Sequence, residues 1–307
     1  MSEKKVTEDV EHLNYLLQNL VDNALEAISS TKYQDHLKSG GGCKGGFESK
    51  FSETNHLSPL KMRCASLTEK IISGNYHSTH SEQSLLDDAL LRDTLCQLLY
   101  RTYFAGTHFF GVSEDEERVL NTIFETIQSQ GKVLLQSNNL HNYDHSFMHS
   151  QEPWVAAQRW RSITAAALSK QMKVLSVEVV VQELVQAIKL AHPLKSLHFH
   201  RKFTSALQPD TIREMNILAH KLSLTLQRDV VSSVIRVIIA PGTHKGRRWY
   251  DSFDQKICRS AWNDRPSKDG DRVLGTYKFG LKRLVKTKEE ILIHPEVITD
   301  AILQRSN

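Results

Sequence analysis

A basic segment near the C-terminus of the 307-residue chain holds the residues best suited to bind a negatively charged ligand. Residues 241–288 contain thirteen lysines and arginines and five aspartates, a net charge of +8, whereas the other 26 basic and 30 acidic residues sum to −4. Aromatic residues lie among these cations: Trp249, Tyr250, Phe253, Trp262, Tyr277 and Phe279. Arginine binds phosphate and aromatic rings stack on bases. The segment therefore predicts a phosphate-bearing or acidic partner: nucleic acid, a nucleotide or an acidic protein surface.

The stretch PGTHKGRRW (241–249) is the most promising part of this segment. It follows the apolar run VIRVIIA, which predicts a strand over 234–240. Ligands of alternating α/β folds bind at the carboxyl ends of strands, and glycine allows close approach of the backbone. The predicted ligand-binding residues are Gly242, Lys245, Arg247, Arg248 and Trp249, joined by His198, His200 and Lys202 from the polar face of a predicted strand at 197–203.

His244 in the same stretch could act as a general acid or base, with Asp251 or Asp254 orienting its ring. These residues suggest an alternative function, that of a transferase or phosphoester hydrolase acting at the 241–254 loop. Two further interpretations involve no catalysis. The cations could form a solvated basic face, or they could form salt bridges to the acidic remainder of the chain. The protein could also be an interaction module that uses the helical half and the segment 31–58.

The stretch HNYDHSFMH contains four metal-ligand side chains within nine residues: His141, Asp144, His145 and His149. On a helix the three histidines would lie one turn apart on one face. Two such histidines and a carboxylate can hold zinc or iron, so a divalent metal is a candidate cofactor. Asn138-Asn139 before the cluster and Pro153 after it favour a loop instead, and a chain with 15 histidines has some clustering by chance.

The stretch LQNLVDNALEA (17–27) resembles the helix of histidine-kinase and gyrase-type ATPases in which an asparagine ligates magnesium. That family also has a glutamate four residues before the asparagine, where this chain has Asn19, and a downstream Asp-x-Gly-x-Gly string, which this chain lacks. The stretch therefore indicates an amphipathic helix rather than an ATP site.

Apolar periodicity predicts that residues 1–150 form a helical region. Leucines recur at three- and four-residue spacing in the first segment, and Ser113 with Glu116 forms a capping box. The glycine-rich, polar residues 31–58 predict a long flexible loop. The predicted helices cover residues 7–28, 60–73, 85–104 and 113–131.

Residues 151–307 are predicted to form a mixed α/β region, which contains the basic segment. Pro209 is typical of a helix start, and Asp269-Gly270 of a turn. The predicted helices cover residues 154–172, 177–191, 209–227, 250–262 and 295–303, and the predicted strands cover 197–203, 234–240 and 272–279. The fold class is therefore α+β, with a helical N-terminal half and a C-terminal half in which helices pack on a small three- or four-stranded sheet.

The composition favours a soluble protein of the cytoplasm. The hydrophobic fraction is 40% and the charged fraction 24%, which are ordinary for a chain that buries a core. The four cysteines are scattered without a Cys-x-x-Cys pair, as suits a reducing compartment. The N-terminus has no apolar signal region, and the sequence has no apolar run long enough to span a membrane.

Overall fold

The computed structural model describes residues 3–38, 80–105, 114–137, 153–169, 174–191, 197–228, 234–240, 242–244, 247–249, 251–285 and 288–303. Within these ranges the chain forms seven α-helices, and a π-helical turn, Tyr100–Phe104, extends the second of them. The helices are α1 (Glu3–Lys38), α2 (His80–Leu99), α3 (Glu114–Ser137), α4 (Pro153–Leu168), α5 (Val177–Ala191), α6 (Leu197–Ala206) and α7 (Pro209–Arg228).

The described strands all follow residue 233 and form two small sheets and a hairpin. They are β1 (Val234–Ile238), β2 (Gly242–His244), β3 (Arg247–Trp249), β4 (Arg259–Ser260), β5 (Val273–Lys278), β6 (Gly280–Val285), β7 (Lys288–Ile293) and β8 (Glu296–Thr299). One sheet has the order β1-β6-β7, the other has the order β4-β8-β5, and β2 pairs with β3. The predicted α+β class is confirmed, with two three-stranded sheets in place of one.

Helix α1 is built on the apolar repeat of the first segment. Leu13, Leu17, Leu20 and Ala24 are buried, and the helix packs against α2, α6 and α7. The predicted helix over 7–28 is confirmed and continues to Lys38, so residues 31–38 are helical where a loop was predicted. The rest of the predicted loop and the predicted helix at 60–73 lie outside the described residues, as does the boundary predicted near residue 150.

The predicted strand at 197–203 is wrong, because these residues begin helix α6. Phe199, Phe203 and Leu207 are each at most 2% exposed and join the main core. Their four-residue spacing matches one face of a helix as well as the same face of a strand. The packing of α6 against α1 decides between the two.

Two further predictions near the C-terminus are wrong. Where a helix was predicted over 250–262, the described residues 251–262 form turns and the short strand β4. Residues 296–299 form β8 before a 3-10 turn over Asp300–Leu303. Strand β8 pairs with both β4 and β5, and its Val297 and Ile298 are completely buried. These pairings between distant segments outweigh the local preference of Pro295 for a helix start.

The remaining elements follow the sequence closely. Helices α4, α5 and α7 and strands β1 and β5 confirm the predictions over the corresponding segments, and the helix predicted to end at Gly131 continues to Ser137.

Asn14 joins the helical part to the sheets, since its side-chain amide forms hydrogen bonds with both backbone groups of Phe279. Its Nδ2 donates to the Phe279 carbonyl at 3.1 Å, and its Oδ1 accepts from the Phe279 amide at 2.9 Å.

Candidate anion-binding site

The stretch predicted to bind a ligand forms a β-hairpin that follows β1. Strands β2 and β3 are antiparallel, with Gly242 opposite Trp249, Thr243 opposite Arg248 and His244 opposite Arg247. A two-residue connection, positions 245 and 246, is the commonest length for a hairpin, and glycine is favoured at its second position. Lys245 lies outside the described residues.

The first end of the hairpin is fixed by a buried threonine. The Thr276 hydroxyl of β5 donates to the carbonyl of Ala240 at 2.7 Å and accepts from the amide of the same residue at 2.9 Å. The amide of Thr276 in turn donates to Asp93 Oδ1 on α2 at 2.9 Å. Helix α2 and strand β5 therefore hold the chain in place directly before the hairpin.

The second end of the hairpin is fixed by backbone bonds to the start of β5. The Val273 amide donates to the Asp251 carbonyl at 2.9 Å, and the Phe253 amide donates to the Asp271 carbonyl at 2.7 Å. Gly270 closes this loop in the left-handed region, with φ of 93°, as the predicted Asp-Gly turn requires. The hairpin is thus attached to the core at both ends.

The loop after the hairpin carries no excess charge. Residues 251–272 contain five lysines and arginines and five aspartates. Three of these aspartates shape the loop, because their carboxylates accept hydrogen bonds from backbone amides at 2.7–2.9 Å: Asp254 from Lys256, Asp269 from Gln255 and Asp271 from Lys268. Asp254, a predicted catalytic residue, therefore has a structural contact of its own, and Asp251 is exposed.

The cations of the following strands have carboxylate partners. Lys278 pairs with Glu296 at 3.0 Å, and Lys282 pairs with Glu289 at 3.2 Å. Arg283 pairs with both Glu290, at 2.6 Å, and Glu3 of α1. Three of the five cations in residues 278–288 are thus neutralised by glutamates that lie outside the basic segment in sequence.

The remaining positive charge lies at two separate places. Arg247 and Arg248 belong to strand β3 of the hairpin, which follows the Ile238 end of β1, and Lys245 lies between the two hairpin strands in sequence. Lys288 begins β7 at the opposite end of the sheet, where Val234 pairs with Leu284 of β6, and Lys286 lies outside the described residues. Among the described residues, Lys288 and the hairpin strands therefore lie near opposite ends of β1.

The predicted ligand-binding residues His198, His200 and Lys202 lie on helix α6 and not on a strand. On a strand the three positions would share one face, whereas on a helix His200 lies about 200° around the axis from either neighbour.

The predicted metal ligands at 141–149 lie outside the described residues. Within the part of the chain that the structure describes, no group of three or more histidine, cysteine, aspartate or glutamate side chains could hold a metal ion.

The structure also contains a buried polar cluster that sequence reasoning missed. Arg92, 3% exposed, pairs with Asp88 at 2.7 Å and with Asp22 at 3.1 Å, and its guanidinium lies 4.3 Å from the centre of the Tyr277 ring. The Tyr277 hydroxyl donates to Asp88 at 2.8 Å. Burial is the main cause that raises the pKa of Asp88 and that of Tyr277. The available signal was the charged string DDALLRD (87–93) inside an apolar helix.

Asp22 lies in the stretch that resembles an ATPase motif, and in the structure it pairs with Arg92.

Comparison with protein-family models, curated proteins and solved structures gave no match to this chain. Among the described residues, no helix is long and apolar enough to cross a membrane.

Proposed function

We propose that this protein binds single-stranded nucleic acid through the β2–β3 hairpin. The observation that supports this most directly is the charge balance of the C-terminal region. Residues 241–250 hold Lys245, Arg247 and Arg248 and no acidic residue, whereas the loop that follows is neutral and the next strands are largely ion-paired. A stretch that keeps its net positive charge is the one that can neutralise phosphates.

Aromatic residues favour nucleic acid over an acidic protein surface. Trp249 ends β3 and Tyr250 follows it, so both lie beside the arginines in sequence. Proteins that bind single strands combine a positively charged track for the phosphates with aromatic rings on which bases stack. A hairpin attached at both ends would hold these groups in place with little loss of entropy on binding.

The salt dependence of affinity tests this proposal. We expect the full chain to bind a labelled single-stranded oligonucleotide with a log–log salt slope of about −2, since three phosphate contacts give about −0.7 each. The double variant Arg247→Ala/Arg248→Ala should reduce the slope to about −0.7. The matched control, Lys256→Ala/Lys268→Ala, removes two exposed charges from the neutral loop and should leave the slope unchanged.

A second variant separates stacking from charge. Trp249→Ala should weaken binding at every salt concentration without changing the slope, by about 1–3 kcal/mol for one stacked base. If the hairpin double variant keeps both wild-type affinity and slope, the proposal is wrong. If the chain binds polyglutamate but not the oligonucleotide, the partner is an acidic protein surface instead.

A further inference from the structure

A polar groove lies between helices α1 and α7. The two helices pack against each other, and Leu13 and Leu17 of α1 share the main core with Ile212 and Met215 of α7. The groove has a volume of about 480 Å³, which is within the usual range of binding sites for small molecules. The closest packing of the two helices therefore leaves room for a small ligand beside it.

The α1 wall of the groove carries an exposed aromatic ring and two unused amides. Tyr15, Asn19 and Asn23 lie about one turn apart on one face of the helix and all line the groove. Tyr15 is 58% exposed, so much of its ring is open to a ligand. Asn19 and Asn23 are half-buried, and neither side chain forms a hydrogen bond within the part of the chain that the structure describes. Each amide therefore keeps its donors and its acceptor for a ligand.

The opposite wall comes from α7 and from the residue before it. Nε2 of His12 on α1 lies 3.9 Å from Oε1 of Glu214 on α7, so one small ligand can contact both helices. Thr211 donates to Oε1 of Gln208 at 3.0 Å, and both residues line the groove. This bond occupies the Gln208 carbonyl oxygen and leaves its amide nitrogen as a donor for a ligand.

The charges of the groove disfavour an anionic ligand. The described side chains that line it include Asp22 and Glu214 but no lysine or arginine. Both carboxylates already lie next to a basic side chain, since Asp22 pairs with Arg92 at 3.1 Å and Glu214 lies beside His12. A cationic ligand would compete with these basic groups for the carboxylates. A neutral ligand needs only the amides and the lone pairs that remain.

Helix α1 is fixed in position along the groove. Asn14 forms two hydrogen bonds with the backbone of Phe279, and Asp22 is held by Arg92 of α2. The backbone that carries Tyr15 is therefore ordered before a ligand arrives. A preformed site of this kind loses less entropy on binding than a mobile one.

We infer that the groove between α1 and α7 binds a neutral saccharide through Asn19, Asn23 and the ring of Tyr15. Sugar hydroxyls both donate and accept hydrogen bonds, as the side-chain amides do. The apolar C–H face of a pyranose ring can pack on the exposed Tyr15 ring. A fully apolar ligand fits poorly, because Leu16 is the one aliphatic side chain among the described residues of the lining. The groove shares no residue with the hairpin, so this inference does not depend on nucleic-acid binding.

Saturation-transfer NMR of the full chain with the methyl glycosides of glucose, galactose, mannose and N-acetylglucosamine tests the inference. We expect transfer to at least one sugar, strongest at the C–H protons of the face that packs on Tyr15. In a titration with that sugar, Asn19→Ala and Asn23→Ala should each weaken binding by roughly 2- to 10-fold, the usual effect of losing a neutral hydrogen bond. Tyr15→Ala should weaken it by roughly 10-fold, whereas Tyr15→Phe keeps the ring and should bind as the wild type does.

The substituted positions are half-buried or exposed and alanine favours a helix, so these variants should fold. Gln18→Ala is the matched control, since it removes an exposed amide of α1 outside the groove and should leave sugar binding unchanged. The hairpin variant Arg247→Ala/Arg248→Ala should also bind the sugar normally, which separates this test from that of the hairpin. Three outcomes would overturn the inference: no binding of any of the four glycosides at about 10 mM, wild-type affinity in all three alanine variants of the groove, or binding of spermidine in place of the sugars.

Discussion

Arg92 is buried and Arg236 is half-buried, and the surroundings of the two arginines differ. Arg92 has two carboxylate partners, Asp88 and Asp22, and its guanidinium packs on the Tyr277 ring. Arg236 forms no ion pair among the described residues, and burial lowers its pKa although Tyr100, Glu289 and Glu117 act to raise it. A buried cation with its own carboxylates belongs to the fold. A buried cation without them weakens the fold unless a ligand supplies the negative charge.

Two parts of the basic segment also differ in whether their cations have carboxylate partners. On β5 and β6, the cations Lys278, Lys282 and Arg283 are held by glutamates of the neighbouring strands and of α1. In the hairpin over 242–249, the cations stand in a stretch of chain without acidic residues. The net charge of a segment therefore indicates a binding surface only after the cations in internal ion pairs have been subtracted.

The largest effect is expected from breaking the paired cluster with Arg92→Met. The change leaves Asp88 buried without its cation, so the free energy of unfolding should fall by about 3–5 kcal/mol in urea denaturation. Arg213→Met is the matched control, since this exposed arginine pairs with exposed Asp210 on α7 and should contribute less than about 1 kcal/mol. A loss for Arg92→Met as small as that of the control would show that the cluster is not part of the fold.

A smaller effect is expected from Thr276→Val, which removes the hydroxyl bonded to both backbone groups of Ala240. The buried amide and carbonyl then lose a partner, and stability should fall by about 1–3 kcal/mol. Because this bond fixes the first end of the hairpin, oligonucleotide affinity should fall as well. Thr204→Val, which removes an exposed hydroxyl from α6, is the control and should change stability by less than about 0.5 kcal/mol. A Thr276→Val variant with unchanged stability and affinity would contradict the anchoring role.

The smallest effect, and one of opposite sign, is expected from Arg236→Met. Burial lowers the pKa of Arg236, so the charged form is less favourable in the folded chain than in the unfolded chain. Removing the charge should leave the free energy of unfolding unchanged or raise it by about 1 kcal/mol, in contrast to Arg92→Met. A loss above about 2 kcal/mol in the same urea titration would place Arg236 with Arg92 as a structural residue.

Local patterns in the sequence identify most elements correctly. Three patterns each predict a single type of element, and each element forms as predicted: the leucine repeat of α1, Pro209 at the start of α7 and the apolar run of β1. The failure at 197–203 has a physical cause. Phe199 and Phe203 are four residues apart, which fits a strand face and a helix face equally, and only packing against α1 resolves the choice.

Non-local contacts explain what the sequence could not predict about the site. The composition of the sequence identifies the basic segment. Its ion pairs with Glu3 and Glu296 join residues that only the folded structure brings together. The Arg92–Asp22 pair joins residues 70 positions apart. Likewise, Arg236 is a single cation in an apolar stretch of the sequence, and only the strand register places it opposite Lys282 of β6.

The salt dependence of oligonucleotide binding, compared among the wild type, Arg247→Ala/Arg248→Ala and Lys256→Ala/Lys268→Ala, tests the central claim most directly. Both double variants lose two positive charges, so any difference between them reflects where those charges lie. The hairpin should account for the binding: its variant should lose about two-thirds of the salt slope, and the loop variant should keep all of it. Equal slopes for the two variants would contradict a binding site in the hairpin.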